Sequence, residues 1–146
     1  MTTSPEGAEL VTASPEETEA AAARLAGHLR RGDLLLLVGE LGAGKTTFVR
    51  GLARGMGLEA DVMSPTFQLV RVYPGPLQLA HVDLYRLSNT AELADLGLEE
   101  LLEEGVVAVE WGDRLQGCPG VRVRLQTLDP DRRQLRLEGA PATWSW

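Results

Sequence analysis

Three features of the sequence predict a three-layer α/β fold with a central, mostly parallel sheet and antiparallel additions. Leu34 to Val38 is an uninterrupted aliphatic run, the pattern of a strand covered on both faces, and a Gly-rich turn and an amphipathic stretch follow it. Val106 to Val109 is a second short run of the same kind, preceded by a helical stretch. Two hairpin signals, around Pro74-Gly75-Pro76 and Asp129-Pro130-Asp131, supply the antiparallel strands. Strands alternating with helices build parallel sheets, and hairpins extend them.

Taken in order, the first dozen residues are expected to be loose. Ser14-Pro15-Glu16-Glu17 has the form of a capping box, with Ser14 as N-cap, Pro15 at the first helical position and Glu17 reaching back. A helix is therefore predicted there, with Ala22, Leu25, Ala26 and Leu29 at helical spacing and Gly32 ending it after Arg30 and Arg31. After the strand of Leu34 to Val38, a second helix is predicted from Lys45 to about Met56. Phe48, Val49, Leu52 and Ala53 form its inner side and Gly57 lies past its end. Gln68 to Tyr73 and Leu77 to Val82 read as antiparallel strands. A helical stretch from about Thr90 to Glu104, with Gly97 as a breaking point, leads to Val106 to Val109, which ends in Glu110. Val121 to Leu128 and Gln134 to Leu137 close the chain as a hairpin. No internal repeat or second boundary interrupts this order, so a single domain over 1–146 is expected.

Composition narrows the function class. With 44% apolar and 24% charged residues, the chain has the balance of a soluble globular protein. Its longest apolar run is far short of the roughly 20 residues a membrane span needs, and no signal-like segment opens it, so a cytoplasmic location is expected. The net charge of −7 opposes wide contact with nucleic acid phosphates. The single cysteine, Cys118, cannot pair internally and carries no assigned role. Thirteen basic residues are Arg and only one, Lys45, is Lys.

That lone Lys falls in Gly39-Glu40-Leu41-Gly42-Ala43-Gly44-Lys45-Thr46, a match to G-x-x-x-x-G-K-[ST] placed directly after a predicted strand and opening a predicted helix. The fold is thereby P-loop NTPase-like. Backbone N–H groups from Gly39 through Thr46 curl around phosphate oxygens, and glycine is needed where a side chain would block the turn or the ligand. Lys45, expected to be an exposed phosphate ligand, brings a compact cation to the β- and γ-phosphates, and Thr46 offers its hydroxyl to Mg²⁺. A tight surface turn with a solvated Lys is the bland alternative. It is weakened by a chain that otherwise uses only Arg. ATP with Mg²⁺ is the expected ligand.

Hydrolysis also needs carboxylates at strand ends beside the loop. Asp83 ends the run Leu77 to Val82, and Glu110 ends Val106 to Val109; each would otherwise be a cap or turn former. Ser64-Pro65-Thr66-Phe67 follows the P-loop helix, and Thr66 is a candidate for a switch Thr that meets Mg²⁺ and the γ-phosphate. A solvent-facing Ser-Pro turn is as good a reading of those residues. His28 and His81 have no metal-ligand spacing, and His81 is expected to make a fixed hydrogen bond near Asp83. For Trp111, next to Glu110, ordinary packing is the simpler reading and covering the site the alternative.

The order of these motifs, from the P-loop extended to Thr47, through Ser64-Pro65-Thr66-Phe67 and His81-Val82-Asp83-Leu84-Tyr85-Arg86-Leu87, to Glu110-Trp111, resembles the bacterial TsaE family. The resemblance covers about Ser14 to Leu137. It implies a P-loop ATPase required for threonylcarbamoyladenosine at position 37 of tRNAs reading codons that begin with A. It also implies a heteromeric complex with TsaD and TsaB, with tRNA met indirectly through them and hydrolysis resetting the assembly. By the same resemblance Thr46 and Glu110 would hold Mg²⁺, Asp83 would be the Walker B-like carboxylate that joins them in the metal site, and Thr66 would belong to the first switch. Glu16 or Glu17 and Arg132 or Arg133 would lie near adenine, with Glu17 and Arg133 preferred.

Two other readings compete. Small P-loop kinases share the strand–loop–helix start, but the chain shows no Arg-rich lid segment. A GTPase lacks support, because neither D-x-x-G after a strand nor N-K-x-D is present. A nucleotide-sensing module with little turnover is the third class.

Overall fold

The computed structural model describes residues 8–40, 42–58, 70–84, 97–111 and 120–146. Among these residues the strands are β1 (Glu9–Thr12), β2 (Leu34–Gly39), β3 (Val70–Tyr73), β4 (Gln78–Asp83), β5 (Gly105–Glu110), β6 (Val121–Thr127) and β7 (Arg133–Glu138). They form one sheet in the order β1-β7-β6-β2-β5-β4-β3. The central strands β6, β2, β5 and β4 are parallel, and the pairings β1/β7, β6/β7 and β3/β4 are antiparallel. This is the expected α/β sheet with antiparallel additions.

The aliphatic run of β2 explains its central place. Leu35 and Leu37 enter the core shared with the helices α1 (Pro15–Leu25) and α2 (Lys45–Gly55). Leu34 and Leu36 enter a second core on the other face, where Leu98, Leu101 and Leu102 of α3 (Leu98–Glu104) pack. A strand apolar at every position thus serves both faces at once. On α2, Phe48, Val49, Leu52 and Ala53 point to the sheet as their spacing predicts.

The capping box forms as read: Glu17 N–H donates to Ser14 Oγ at 3.1 Å, and Ala13 N–H donates to Glu17 Oε1 at 3.0 Å. Two readings are corrected. The helix α1 ends at Leu25, not near Gly32; a 3₁₀ turn over Ala26–His28 tightens its end and sends Leu29 into the core in an extended conformation. The first dozen residues are not all loose, because β1 pairs with β7 over Glu9–Thr12 and Thr12 shares a buried hydroxyl hydrogen bond with Thr18. The described part of β3 begins at Val70; Gln68 and Leu69, the start of the predicted strand, lie outside the described residues. Likewise α3 starts after Gly97, whose φ of 69° makes the predicted break, and residues 90–96 are not described.

In the β6–β7 turn, Asp129 accepts from the N–H groups of Asp131 and Arg132 and from Arg132 Nε. The side-chain hydrogen bond from Arg132 holds the Asp129 carboxyl below the usual carboxylate range. The two helices on one face approach so closely that a Cβ at Gly51 would stand 2.3 Å from the Glu19 carbonyl oxygen. Gly→Ala inside a helix ordinarily stabilises by about 0.5–1 kcal/mol. A clash with backbone costs about 1–3 kcal/mol, so the clash wins. Gly51→Ala is expected to lower the melting temperature by roughly 2–8 °C for a chain of this size. A raised melting temperature would show that α1 and α2 do not pack this way.

Candidate functional site

The C-terminal ends of β2, β5 and β4 lie side by side, and the loop from β2 into α2 crosses above them. Ligands of open α/β sheets bind at this edge. Gly39, Glu40, Gly42, Ala43, Gly44, Lys45, Thr46 and Thr47 form that β2–α2 junction; Leu41 lies outside the described residues. Gly42 and Gly44 have φ of 84° and 101°, in the left-handed region that glycine adopts freely. A Cβ at Gly39 would stand 2.5 Å from the Leu125 carbonyl oxygen of β6, so the turn can form only with glycine there. No side chain caps the N-terminus of α2. A glycine turn leading into a helix N-terminus without a side-chain cap is the setting in which backbone N–H groups and the helix dipole can form an anion cradle.

Lys45 was expected to be exposed and is instead 4% exposed. Its Nζ donates to the carbonyls of Gly39 at 2.5 Å and Glu40 at 3.0 Å, and lies 3.8 Å from the centre of the Trp111 ring. The aromatic face attracts the cation, so Trp111 contributes to the site in addition to packing. Trp111 holds φ at 63°, the left-handed conformation that costs a non-glycine residue about 1–2 kcal/mol. Such outliers concentrate at functional sites.

The acidic half is assembled across the chain. Asp83 and Glu110 are register partners in the β4/β5 ladder, which brings both predicted carboxylates to one place. Thr46 Oγ1 donates to Glu110 Oε2 at 3.0 Å, joining α2 to β5. A hydroxyl that gives its proton to a carboxylate keeps its lone pairs for a cation. Thr46, Glu110 and Asp83 are hard oxygen donors of the kind Mg²⁺ takes alongside phosphate oxygens, so these residues fit that ion. His81 was expected to make a fixed hydrogen bond near Asp83. It does so with Glu110, the register partner of Asp83, Nε2 to Oε2 at 2.5 Å, with the ring fully buried. Sequence reading missed this pair because 29 residues separate its members, although the shared face of His81 and Asp83 on one strand pointed to it.

The hairpin candidates separate. Arg133 Nη2 donates to the Gly42 carbonyl at 3.3 Å, whereas Arg132 is engaged with Asp129 in the turn. Thr12 stands opposite Arg133 in the β1/β7 ladder, so the start of α1 is brought to the same edge. There Glu17 serves the capping box and Glu16 is exposed. Thr66 and its Ser-Pro segment, with Tyr85, Arg86 and Leu87, lie outside the described residues. A cleft of about 320 Å³ adjoins the loop at Gly39 and Glu40, between β2 and Arg124 to Thr127 of β6. A roomier one of about 490 Å³, around His28, Arg30, Asp33 and Trp144, contains no motif residue, so size alone does not locate the site. Among the described residues no helix is long and apolar enough to cross a membrane.

Comparison with known proteins identifies the family. A family model described as "Threonylcarbamoyl adenosine biosynthesis protein TsaE" matches residues 12–136. A relative from Streptomyces coelicolor, named tRNA threonylcarbamoyladenosine biosynthesis protein TsaE, is 47% identical over 80% of this chain and 76% of its own. One of the same name from Mycobacterium bovis is 40% identical over 90% and 82%. The crystal structure of Bacillus subtilis YdiB superposes with a TM-score of 0.74 at 35% identity, covering 88% of this chain and 82% of that one.

Proposed function

The chain belongs to the TsaE family of threonylcarbamoyl adenosine biosynthesis proteins, and we propose that its part in tRNA modification is that of a Mg²⁺-dependent P-loop ATPase. In this reading it acts in the cytoplasm with TsaD and TsaB on the modification of position 37 of tRNAs reading ANN codons, and meets tRNA through those partners. The observation that carries the proposal is the hydrogen bond from Thr46 to Glu110, residues 64 apart. It makes the anion cradle and the acidic strand ends a single site, as phosphoryl transfer to water requires.

The roles follow from position. The backbone of Gly39 to Thr47, Leu41 included, cradles the phosphates, and Lys45 places its charge on their oxygens. Thr46, Glu110 and Asp83 would hold Mg²⁺, which would supply positive charge against the charge that builds on the phosphates. Asp83 and Glu110 flank the place where water must be aligned. Arg133, already at the cradle through Gly42, is the preferred contact near the base, with Glu17 at the start of α1 as the second. Thr66 is assigned to a switch ordered by the γ-phosphate. The charge of −7 suits docking against a more basic protein face better than direct contact with RNA.

A switch-type NTPase is slow alone and is accelerated by a partner that binds its ordered form. The chain is therefore expected to bind a TsaD–TsaB pair more tightly with an ATP analogue than with ADP. Complex formation is expected to raise phosphate release by about tenfold or more, a population shift of roughly 1.4 kcal/mol. Interferometry with each nucleotide, beside a phosphate-release assay, tests both. Equal binding with ATP analogue, ADP and no nucleotide, with an unchanged rate, would leave a P-loop protein with another task.

A further inference from the structure

The site contains a titratable side chain for which the reading above has no use. His81 is completely buried, its Nε2 lies 2.5 Å from Glu110 Oε2, and its Nδ1 has no hydrogen-bond partner among the described residues. A buried polar ring is costly to keep unless its one contact matters. An ionised carboxylate only accepts, so in this contact the imidazole donates from Nε2. With the proton on Nε2, Nδ1 is an unfilled acceptor, and no buried N–H is left without a partner. The ladder explains how the ring reaches its target. Opposite His81 stands Ala108, whose small side chain leaves room over β5, and Glu110 lies two residues further along that strand.

Two donors thus converge on one oxygen: Thr46 Oγ1 at 3.0 Å and His81 Nε2 at 2.5 Å both meet Glu110 Oε2. They hold the carboxylate from two different elements, one from the start of α2 and one from β4. We propose that His81 is a positioning residue, holding the Glu110 carboxylate in the orientation that accepts the Thr46 hydroxyl, so that both residues are presented to Mg²⁺. The inference rests on the Mg²⁺–nucleotide reading and deepens it. Groups that orient metal ligands in this way commonly control metal affinity by about 10–100-fold without touching the metal. The P-loop makes no hydrogen bond to His81 among those described, so nucleotide binding without metal does not depend on it.

The test is calorimetry of ADP binding across a MgCl₂ titration for the parent, His81→Leu and His81→Gln, with melting temperatures measured beside it. Leu fills the buried space without a donor, and Gln returns an N–H near the position of Nε2. His81→Leu is expected to keep metal-free ADP affinity within about twofold and to need 10–100-fold more Mg²⁺ for half-effect, with His81→Gln recovering most of that loss. Should His81→Leu fail to fold, His81→Asn, polar but too short to reach Oε2, replaces it with the same expectation. A folded variant lacking the donor with the parent's Mg²⁺ midpoint overturns the positioning role. So does a His81→Gln as defective as the variant without the donor. A parent that binds no ADP, or whose ADP affinity ignores Mg²⁺, instead overturns the nucleotide reading itself.

Discussion

Glu110→Gln is expected to bind ADP nearly as the parent does and to lose ATP turnover by about 100-fold or more. That is the scale seen when a preorganised charge is removed from a transition state. Binding survives because the cradle and Lys45 are built by β2 and α2 and do not contain Glu110. Turnover collapses because Glu110 is where the Thr46 hydroxyl, the partner strand's Asp83 and the buried His81 meet. The amide keeps the volume and one acceptor, so the fold has little reason to suffer. Glu110→Ala is the harsher variant: it leaves His81 buried with no partner, a cost of about 1–3 kcal/mol in stability on top of the lost activity. Asp83→Ala, on a half-buried side chain, is expected to match Glu110→Gln in turnover with less effect on melting. Phosphate release measured with the stimulating partners decides the matter. A folded Glu110→Gln that runs at the parent's rate would make Glu110 a structural strand end.

What could be read from the sequence was whatever local spacing encodes. The all-aliphatic run of Leu34 to Val38 could only be a central strand, and the structure puts its alternate leucines into opposite cores. The capping box at Ser14 and the left-handed glycines at 42 and 44 are likewise set by neighbours a few residues away. Contacts that close over long stretches of chain were not legible. The β1 strand of Glu9–Thr12 has no period of its own and exists because β7 offers it an edge, with Arg136 pairing Glu9 across the ladder. The sequence named Asp83 and Glu110 but not the hydrogen bonds that rank them. Those bonds depend on register, and a shift of one residue would turn His81 to the opposite face. Between the neighbours Arg132 and Arg133 the sequence offered a preference for Arg133 but no geometric reason for it. The turn separates them, because Asp129 captures the first and the second reaches Gly42. The burial of Lys45 was misjudged for a related reason: its partners are the carbonyls of its own loop, and backbone acceptors leave no trace in side-chain pattern.

That burial sharpens the expectation for Lys45 itself. Lys45→Ala is expected to weaken ATP and ADP binding by about 100-fold or more, since each charged hydrogen bond to phosphate contributes roughly 1.5–3 kcal/mol and the ammonium supplies more than one. The side chain lies outside both apolar cores, and the carbonyls it holds belong to a loop whose shape is already dictated by Gly39, Gly42 and Gly44. The variant should therefore stay folded, with a modest drop in melting temperature from the two loop carbonyls that lose a donor. Lys45→Arg is expected to fail almost as badly. The ammonium sits in a niche bounded by the carbonyl oxygens of Gly39 and Glu40 and the face of Trp111. A planar guanidinium is too wide for the same point and would push against the Trp111 ring or the loop. Calorimetry of ADP binding, with circular dichroism to confirm the fold, is the measurement. If folded Lys45→Ala keeps nucleotide affinity within about threefold of the parent, less than 1 kcal/mol, the loop is a tight turn and not a phosphate site.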